Sequence, residues 1–294
     1  MFHVLLRVSL VLLVVGVVWI IASRSVRSYA TRVVNENSPR IGASEAFELI
    51  GLSLKTLLQD PRLLLVFVLL FAGPRGCAAL VYRYDLATRL DREHLSALLQ
   101  PRAFEAATQF AELWIGVALT FGVLGILGGQ SFRLGSALHE VRAKWKSILI
   151  FAAIYCGGSL CFGILGGLYG DFISARHHTG VTALPAAVWA FSLALGLPVL
   201  AAESHRGLFN VGRAWTLIRK VWWARLVGVA LIILIPRTAF AALELALKPI
   251  LGQPSGMIAF VWIPMLPVLL QVFDTCLYLR VVEQPISNPK LLAS

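Results

Sequence analysis

Seven apolar runs divide this chain: Val8–Ala22, Arg62–Tyr82, Leu113–Gln130, Ile148–Tyr169, Val181–Ala202, Trp223–Ala241 and Met257–Val281. A helix needs roughly 20 apolar residues to cross a hydrocarbon core of about 30 Å, and these runs approach that length. Lipid offers no partner to backbone N–H and C=O groups, so each run predicts a helix. The 294 residues are 58% hydrophobic and only 14% charged, with mean hydropathy +0.80. A soluble domain carries about a quarter charged residues. A soluble fold cannot hide this much apolar surface, whereas a bilayer accepts it. The expected fold class is therefore all-α, a polytopic membrane helical bundle of about seven transmembrane helices.

Two basic amphipathic stretches stand between the runs. In Glu203–Trp222, Leu208, Val211, Trp215, Ile218 and Trp222 fall at helical spacing on one face. Arg206, Arg213 and Lys220 crowd the opposite side, and Arg219 flanks the apolar face. Phe132–Trp145 has the same design and carries Arg142 and Lys144. Laid over Phe209–Trp222 without a gap, five of fourteen positions agree: Phe132/Phe209, Gly135/Gly212, Ala137/Ala214, Arg142/Arg219 and Trp145/Trp222. Such a helix lies in the headgroup plane with its basic face toward anionic lipid. We read the two as elbows, with membrane hairpins hung from them. Asn35–Asp60, with Phe47, Ile50, Leu54, Leu57 and Leu58 on one side, reads as a third and degenerate elbow.

Charge distribution sets the topology. The elbow loops 131–147 and 203–225 are strongly basic, which places them in the cytoplasm. Loops 83–112, 171–180 and 242–256 are close to neutral and fall outside. The first run is followed by Arg24, Arg27 and Arg32, so it reads as an uncleaved span, with a signal peptide as the alternative. The expected protein is multi-pass in a plasma membrane, the inner membrane of a bacterium, with its N-terminus outside and its C-terminus cytoplasmic. Its expected parts are an anchor helix and basic flank over 1–34, a six-helix membrane domain over 35–283 built from elbow-plus-hairpin units, and a short polar tail over 284–294. The net charge of +11 raises nucleic acid as a partner. The basic residues, however, sit beside the apolar runs, where topology signals and lipid contacts belong, so no nucleic-acid partner is expected.

Ionisable groups within or near a span are functional candidates, because a charge at mid-bilayer costs several kcal/mol. Arg75, Arg237, Glu244 and Asp274 qualify. Arg237, Glu244 and Lys248 are spaced by seven and four along one helix face, which reads as a polar stripe lining a path or as a solvated face. Asp274 reads as the partner of a basic elbow residue such as Arg213 or Arg219, with a proton or cation site as the alternative. Gly73-Pro74-Arg75-Gly76 interrupts the second run and predicts a kink or break. Gly125-x-x-x-Gly129 and Gly163-x-x-x-Gly167 predict close helix packing, since small residues let backbones approach in lipid.

Chemical motifs are missing from the chain. It holds no Gly-x-Ser-x-Gly, Walker lysine loop, His-Glu-x-x-His or paired acidic cluster. Cys77, Cys156, Cys161 and Cys276 lie in or beside apolar runs without ligand spacing and read as small core residues. His177-His178 and His205 lack further ligands nearby. No cofactor, metal or catalytic residue is expected.

Pro198-Val-Leu-Ala-Ala-Glu203, then Phe209-x-x-Gly-Arg-Ala-Trp215 and Arg219-Lys-Val-Trp-Trp223, resemble a pattern of the glycerophosphodiester phosphodiesterase membrane-domain-like proteins and related bacterial integral membrane families of unknown function. Thr275-Cys-Leu-Tyr278 followed by Arg280 resembles the ending of their last span. The resemblance covers roughly 45–283 and implies a six-helix core of elbow-and-hairpin repeats. In some members this domain precedes a phosphodiesterase domain. This chain has no matching catalytic residues, so that activity does not carry over. The expected function is a non-enzymatic scaffold or accessory subunit that packs with lipid and other membrane proteins. The alternative is a transporter or lipid-handling protein that uses its intramembrane polar residues.

Overall fold

The structure, a computed structural model, describes residues 41–42, 44–83, 95–173, 187–203, 208–251 and 255–282. Among the described residues there is helix and connecting turn but no strand. The helices are α1 (Glu45–Gln59), α2 (Pro61–Arg83), α3 (Leu95–Leu127), α4 (Leu134–Ala143), α5 (Trp145–Ile173), α6 (Gly196–Ala202), α7 (Leu208–Leu251) and α8 (Ser255–Val281). A further helical piece, 187–192, leads into α6 through a turn at 193–195. The first apolar run, its basic flank, His177-His178, His205, Arg206 and the tail over 284–294 lie outside the described residues.

Three helices are long and apolar enough to cross a membrane: Ala107–Leu127, Trp145–Phe162 and Pro264–Val281. A fourth counts if the bent pair Glu45–Gln59 and Pro61–Gly76 is one span. The seven runs expected from sequence are thus matched by three or four such helices among the described residues. Of the expected run Val181–Ala202, residues 187–202 are described, and Ala187–Ala202 forms a shorter apolar helical stretch.

The 96° corner between α1 and α2 has a local cause. Asp60 leaves helical geometry (φ −136°, ψ 86°), and Pro61, which has no N–H to satisfy, opens the next helix. The Asp60 carboxylate accepts the Arg62 amide at 3.2 Å and, across the fold, the Phe132 amide at 3.2 Å. One side chain therefore caps α2 and tethers the entry to α4.

Two expectations about helix continuity change. Pro74 removes the amide that would bond the Leu70 carbonyl, yet α2 runs through it unbroken to Arg83. Leu63, Phe67 and Phe71 anchor the preceding turns in the core, and Arg75 clamps the following one to Glu112 on α3. The expected second elbow from Leu208 on, the expected sixth span and residues 242–251 of the segment after it are one helix: the 44 residues of α7 are about 66 Å long at 1.5 Å per residue. The first elbow does break. Lys144 (φ −101°, ψ 13°) separates α4 from α5, its amide turning back to Glu140 and Val141.

Two helices organise the packing. α8 touches α1, α2, α3, α6 and α7, and α3 touches α2, α4, α5, α6 and α8. Val117, Leu119 and Val123 on α3 and Val268, Val272, Phe273 and Leu277 on α8 are fully buried.

Glycine acts differently from the small-xxx-small expectation. Gly129 has φ 85° and lies beyond the end of α3; its amide bonds Ile126 at 2.9 Å, and that of Gln130 bonds Gly125 at 2.9 Å. That pair of bonds is a Schellman close, which needs a left-handed residue at the helix end. Gly125 and Gly129 therefore do not share a helix face, and a Cβ on Gly125 would meet only Gln130, at 3.8 Å. The contacts of Gly163 and Gly167 lie outside the described residues. The tight approaches are elsewhere: Gly158 on Trp189, Gly196 on Phe151 and Gly228 on Phe273 against aromatic rings, and Gly116 against the Leu197 side chain.

Candidate functional site

The candidate polar residues converge on α8 and its neighbours. Asp274 sits between two other polar positions of α8, Gln271 and Tyr278, one turn to either side. Gln271 donates to the Thr120 hydroxyl of α3 at 2.8 Å, and that hydroxyl donates to the Gly116 carbonyl at 2.8 Å. The Thr275 hydroxyl turns back to the Gln271 carbonyl at 2.7 Å. Every one of these groups is buried.

Asp274 itself faces Arg225 on α7. The guanidinium engages the carboxylate with two nitrogens, Nε to Oδ1 at 2.8 Å and a terminal nitrogen to Oδ2 at 3.0 Å. Both side chains are under a tenth exposed. The other face of the guanidinium stacks over the Phe191 ring, 4.2 Å from its centroid. Moving two ions out of water costs several kcal/mol each, and only close bidentate geometry offsets it. The ring adds a cation–π contact where the arginine would otherwise meet apolar surface. Sequence reasoning had Asp274 paired with Arg213 or Arg219; the partner is Arg225, the arginine left uncounted at the elbow's edge. The signal was available, since Arg225 lies three residues inside an apolar run and is the natural counter-charge for an aspartate deep in another.

Arg213 is held elsewhere. Its Nε lies 3.2 Å from Glu203, both side chains being mostly buried, and the Tyr278 hydroxyl donates to the same carboxylate at 3.1 Å. Glu203 and Tyr278, which entered through two separate motifs far apart in sequence, thus meet in one cluster that joins α6, α7 and α8. The elbow is also rotated from the expected orientation. Its core face is Ala214, Leu217, Ile218, Val221 and Ala224, while Trp222 is partly exposed and packs edge-on against Phe191 at 4.5 Å.

Lys144 also turns inward. Its ammonium donates to the carbonyls of Leu200, Ala201 and Glu203 at 3.0, 2.7 and 3.0 Å, which closes the C-terminus of α6. A cation is favoured there by the helix dipole. Burial pushes its pKa below the ordinary 10.5. Lys220 is shifted down likewise, through burial and then Arg213. Arg142 is exposed, and Arg219 is exposed with its guanidinium 5.5 Å from the Trp215 ring. Of the expected headgroup-facing cations, Arg142 and Arg219 have that exposure, Lys220 has part of it, and Lys144 and Arg213 serve internal contacts.

The remaining candidates separate. Arg75 and Glu112 pair at 2.6 Å in a partly exposed position between α2 and α3. Arg237 is exposed on α7, one residue after Pro236, and the helix continues through both. Glu244 and Lys248 follow along the same helix, their side chains outside the described residues. Arg280 is exposed and reaches Glu45 of α1 at 3.4 Å. Among the described residues, no group of three or more His, Cys, Asp or Glu could hold a metal ion. Compared with known protein families, with curated proteins and with solved structures, the chain finds no match in any of the three.

Proposed function

We propose that this chain is a non-enzymatic integral membrane protein, a scaffold or accessory subunit that packs with lipid and with other membrane subunits. The observation that carries this reading is the closed Arg225–Asp274 pair: the deepest charge of α8 is spent on a bidentate contact inside the chain. A proton carrier or cation ligand needs a carboxylate that its cargo can reach, whereas this one is enclosed by its counter-charge and by Phe191. Outward-facing Leu65, Leu69, Trp223, Leu234 and Ile235 supply a large apolar exterior for lipid or a neighbouring subunit. On this reading the full chain crosses a bacterial inner membrane seven times, N-terminus outside. Arg142 and Arg219 rest against anionic headgroups, and the short motifs resembling glycerophosphodiester phosphodiesterase membrane domains mark a shared scaffold.

Photo-crosslinking from Leu69, Trp223 or Ile235 in native membranes tests this. A single stoichiometric protein adduct from one of these faces is expected. Labelling of lipid alone from all three, together with solute uptake in liposomes that Asp274→Asn abolishes without unfolding the protein, would transfer the case to a transporter.

A further inference from the structure

A cavity of about 710 Å³ opens where α3 ends and α4 begins. Phe121, Leu124 and Phe132 form its apolar side, and Gln130, Ser131 and Ser136 contribute polar groups. Gly125 and Gly128 lie along the wall; with only Gln130 near the Cβ direction of Gly125, the absence of a side chain there leaves room. The apolar side is the last two turns of Ala107–Leu127, one of the helices able to cross a membrane. The polar side is the beginning of the basic elbow. A molecule filling this cavity must therefore be apolar at one end and polar at the other.

Two side chains at the polar end define its charge. Arg133 and Glu140 both line the cavity, Arg133 in extended backbone just before α4 and Glu140 two turns into it. Both are exposed, and Arg133 makes no ion pair or side-chain hydrogen bond with the described residues. The His139 ring lies 4.0 Å from Glu140, its neighbour in sequence, and the Lys144 ammonium one turn on attracts the same carboxylate while donating to the end of α6. A purely anionic headgroup would satisfy Arg133 and meet repulsion from Glu140. A headgroup with phosphate at one end and ammonium at the other satisfies both.

We propose that this cavity binds one zwitterionic phospholipid carrying an ammonium headgroup. Its phosphate lies at Arg133 with Ser136, its ammonium at Glu140, and the start of an acyl chain runs along Phe121 and Leu124. The site is separate from the general attraction of anionic lipid to Arg142 and Arg219, and it does not depend on the protein's being a scaffold.

Native mass spectrometry of the full chain, released from nanodiscs holding equal phosphatidylethanolamine and phosphatidylglycerol, tests it. The expected result is one retained phosphatidylethanolamine, enriched at least about fivefold over phosphatidylglycerol. Glu140→Gln should erase the preference while phosphate lipids still bind, Arg133→Gln should lose both lipids, and Gly125→Leu should block the cavity. Unfolding midpoints identify any variant that is merely misfolded, and Arg142→Gln serves as a surface control that should keep the preference. Preferential retention of phosphatidylglycerol, equal retention of both lipids, or an Arg142→Gln effect as large as that of Arg133→Gln would overturn the assignment.

Discussion

Phe132–Trp145 and Phe209–Trp222 share five positions and behave as two different devices. The first is a ten-residue helix that stops at Lys144; the second opens a helix of 44 residues and never breaks. Position by position, the inward faces agree: Ala137 and Ala214 are both buried, as are Val141 and Ile218. The divergence comes one step before and three steps after Val141 and Ile218. Where the first stretch has Lys144, the second has Val221, which is fully buried, and where Glu140 stands exposed the second has buried Leu217. A lysine cannot follow valine into the core, so the backbone turns at Lys144 and its ammonium finds the carbonyl end of α6. One turn further on, Ile148 matches Arg225, and the apolar contact of one copy becomes the buried ion pair of the other. A shared amphipathic pattern therefore fixes which face is buried, while single residues decide whether the elbow bends.

The sharpest way to break this comparison is to exchange the divergent residues. Val221→Lys places an ammonium at a fully enclosed position with no acceptor prepared for it, and a loss of about 3–5 kcal/mol is expected from denaturant titration in detergent. A loss under 1 kcal/mol would show that the helix tolerates a bend there. Lys144→Met keeps the bulk of the side chain but leaves three carbonyls of α6 without their donor; about 2 kcal/mol is expected by the same titration. Lys144→Arg should recover part of it.

Smaller effects sharpen the glycine assignment. Gly129→Ala forces a Cβ onto a left-handed residue and should cost about 1–2 kcal/mol. Gly125→Ala adds a methyl group near nothing but Gln130 and should be neutral or stabilise by up to about 1 kcal/mol through helix propensity. If both glycines instead formed one helix-packing face, the two substitutions would cost alike.

The sequence carried the class of fold and many of its joints. Apolar runs of helical length marked the helices, and Gln59-Asp60-Pro61 carried the corner between α1 and α2 in its cap chemistry. The polar site was legible only in part. Asp274 and Arg75 stood out because charge is rare in apolar runs, and Glu203 through its motif. Yet the partners of Asp274 and Glu203 depend on how α6, α7 and α8 rotate against one another, and that of Arg75 on how α2 meets α3. The pair Asp274–Arg225 and the pair Glu203–Tyr278 are separated by 49 and 75 residues, and no periodicity within a helix encodes such meetings. The elbow's orientation was misjudged for a related reason: Trp215 and Trp222 have the hydrophobicity of core residues, but rings of that size fit the rim, and alanine and glycine fit the close approach to α8.

The claim that buried charge here locks helices together is tested most directly by removing the Arg225–Asp274 pair in two ways and measuring unfolding free energy. Asp274→Asn strands a buried guanidinium and should lose about 3–5 kcal/mol, whereas Arg225→Met with Asp274→Leu replaces the pair by apolar contacts and should return to within about 1 kcal/mol of the original or exceed it. A harmless single variant, or a double variant as unstable as the single one, would contradict the lock.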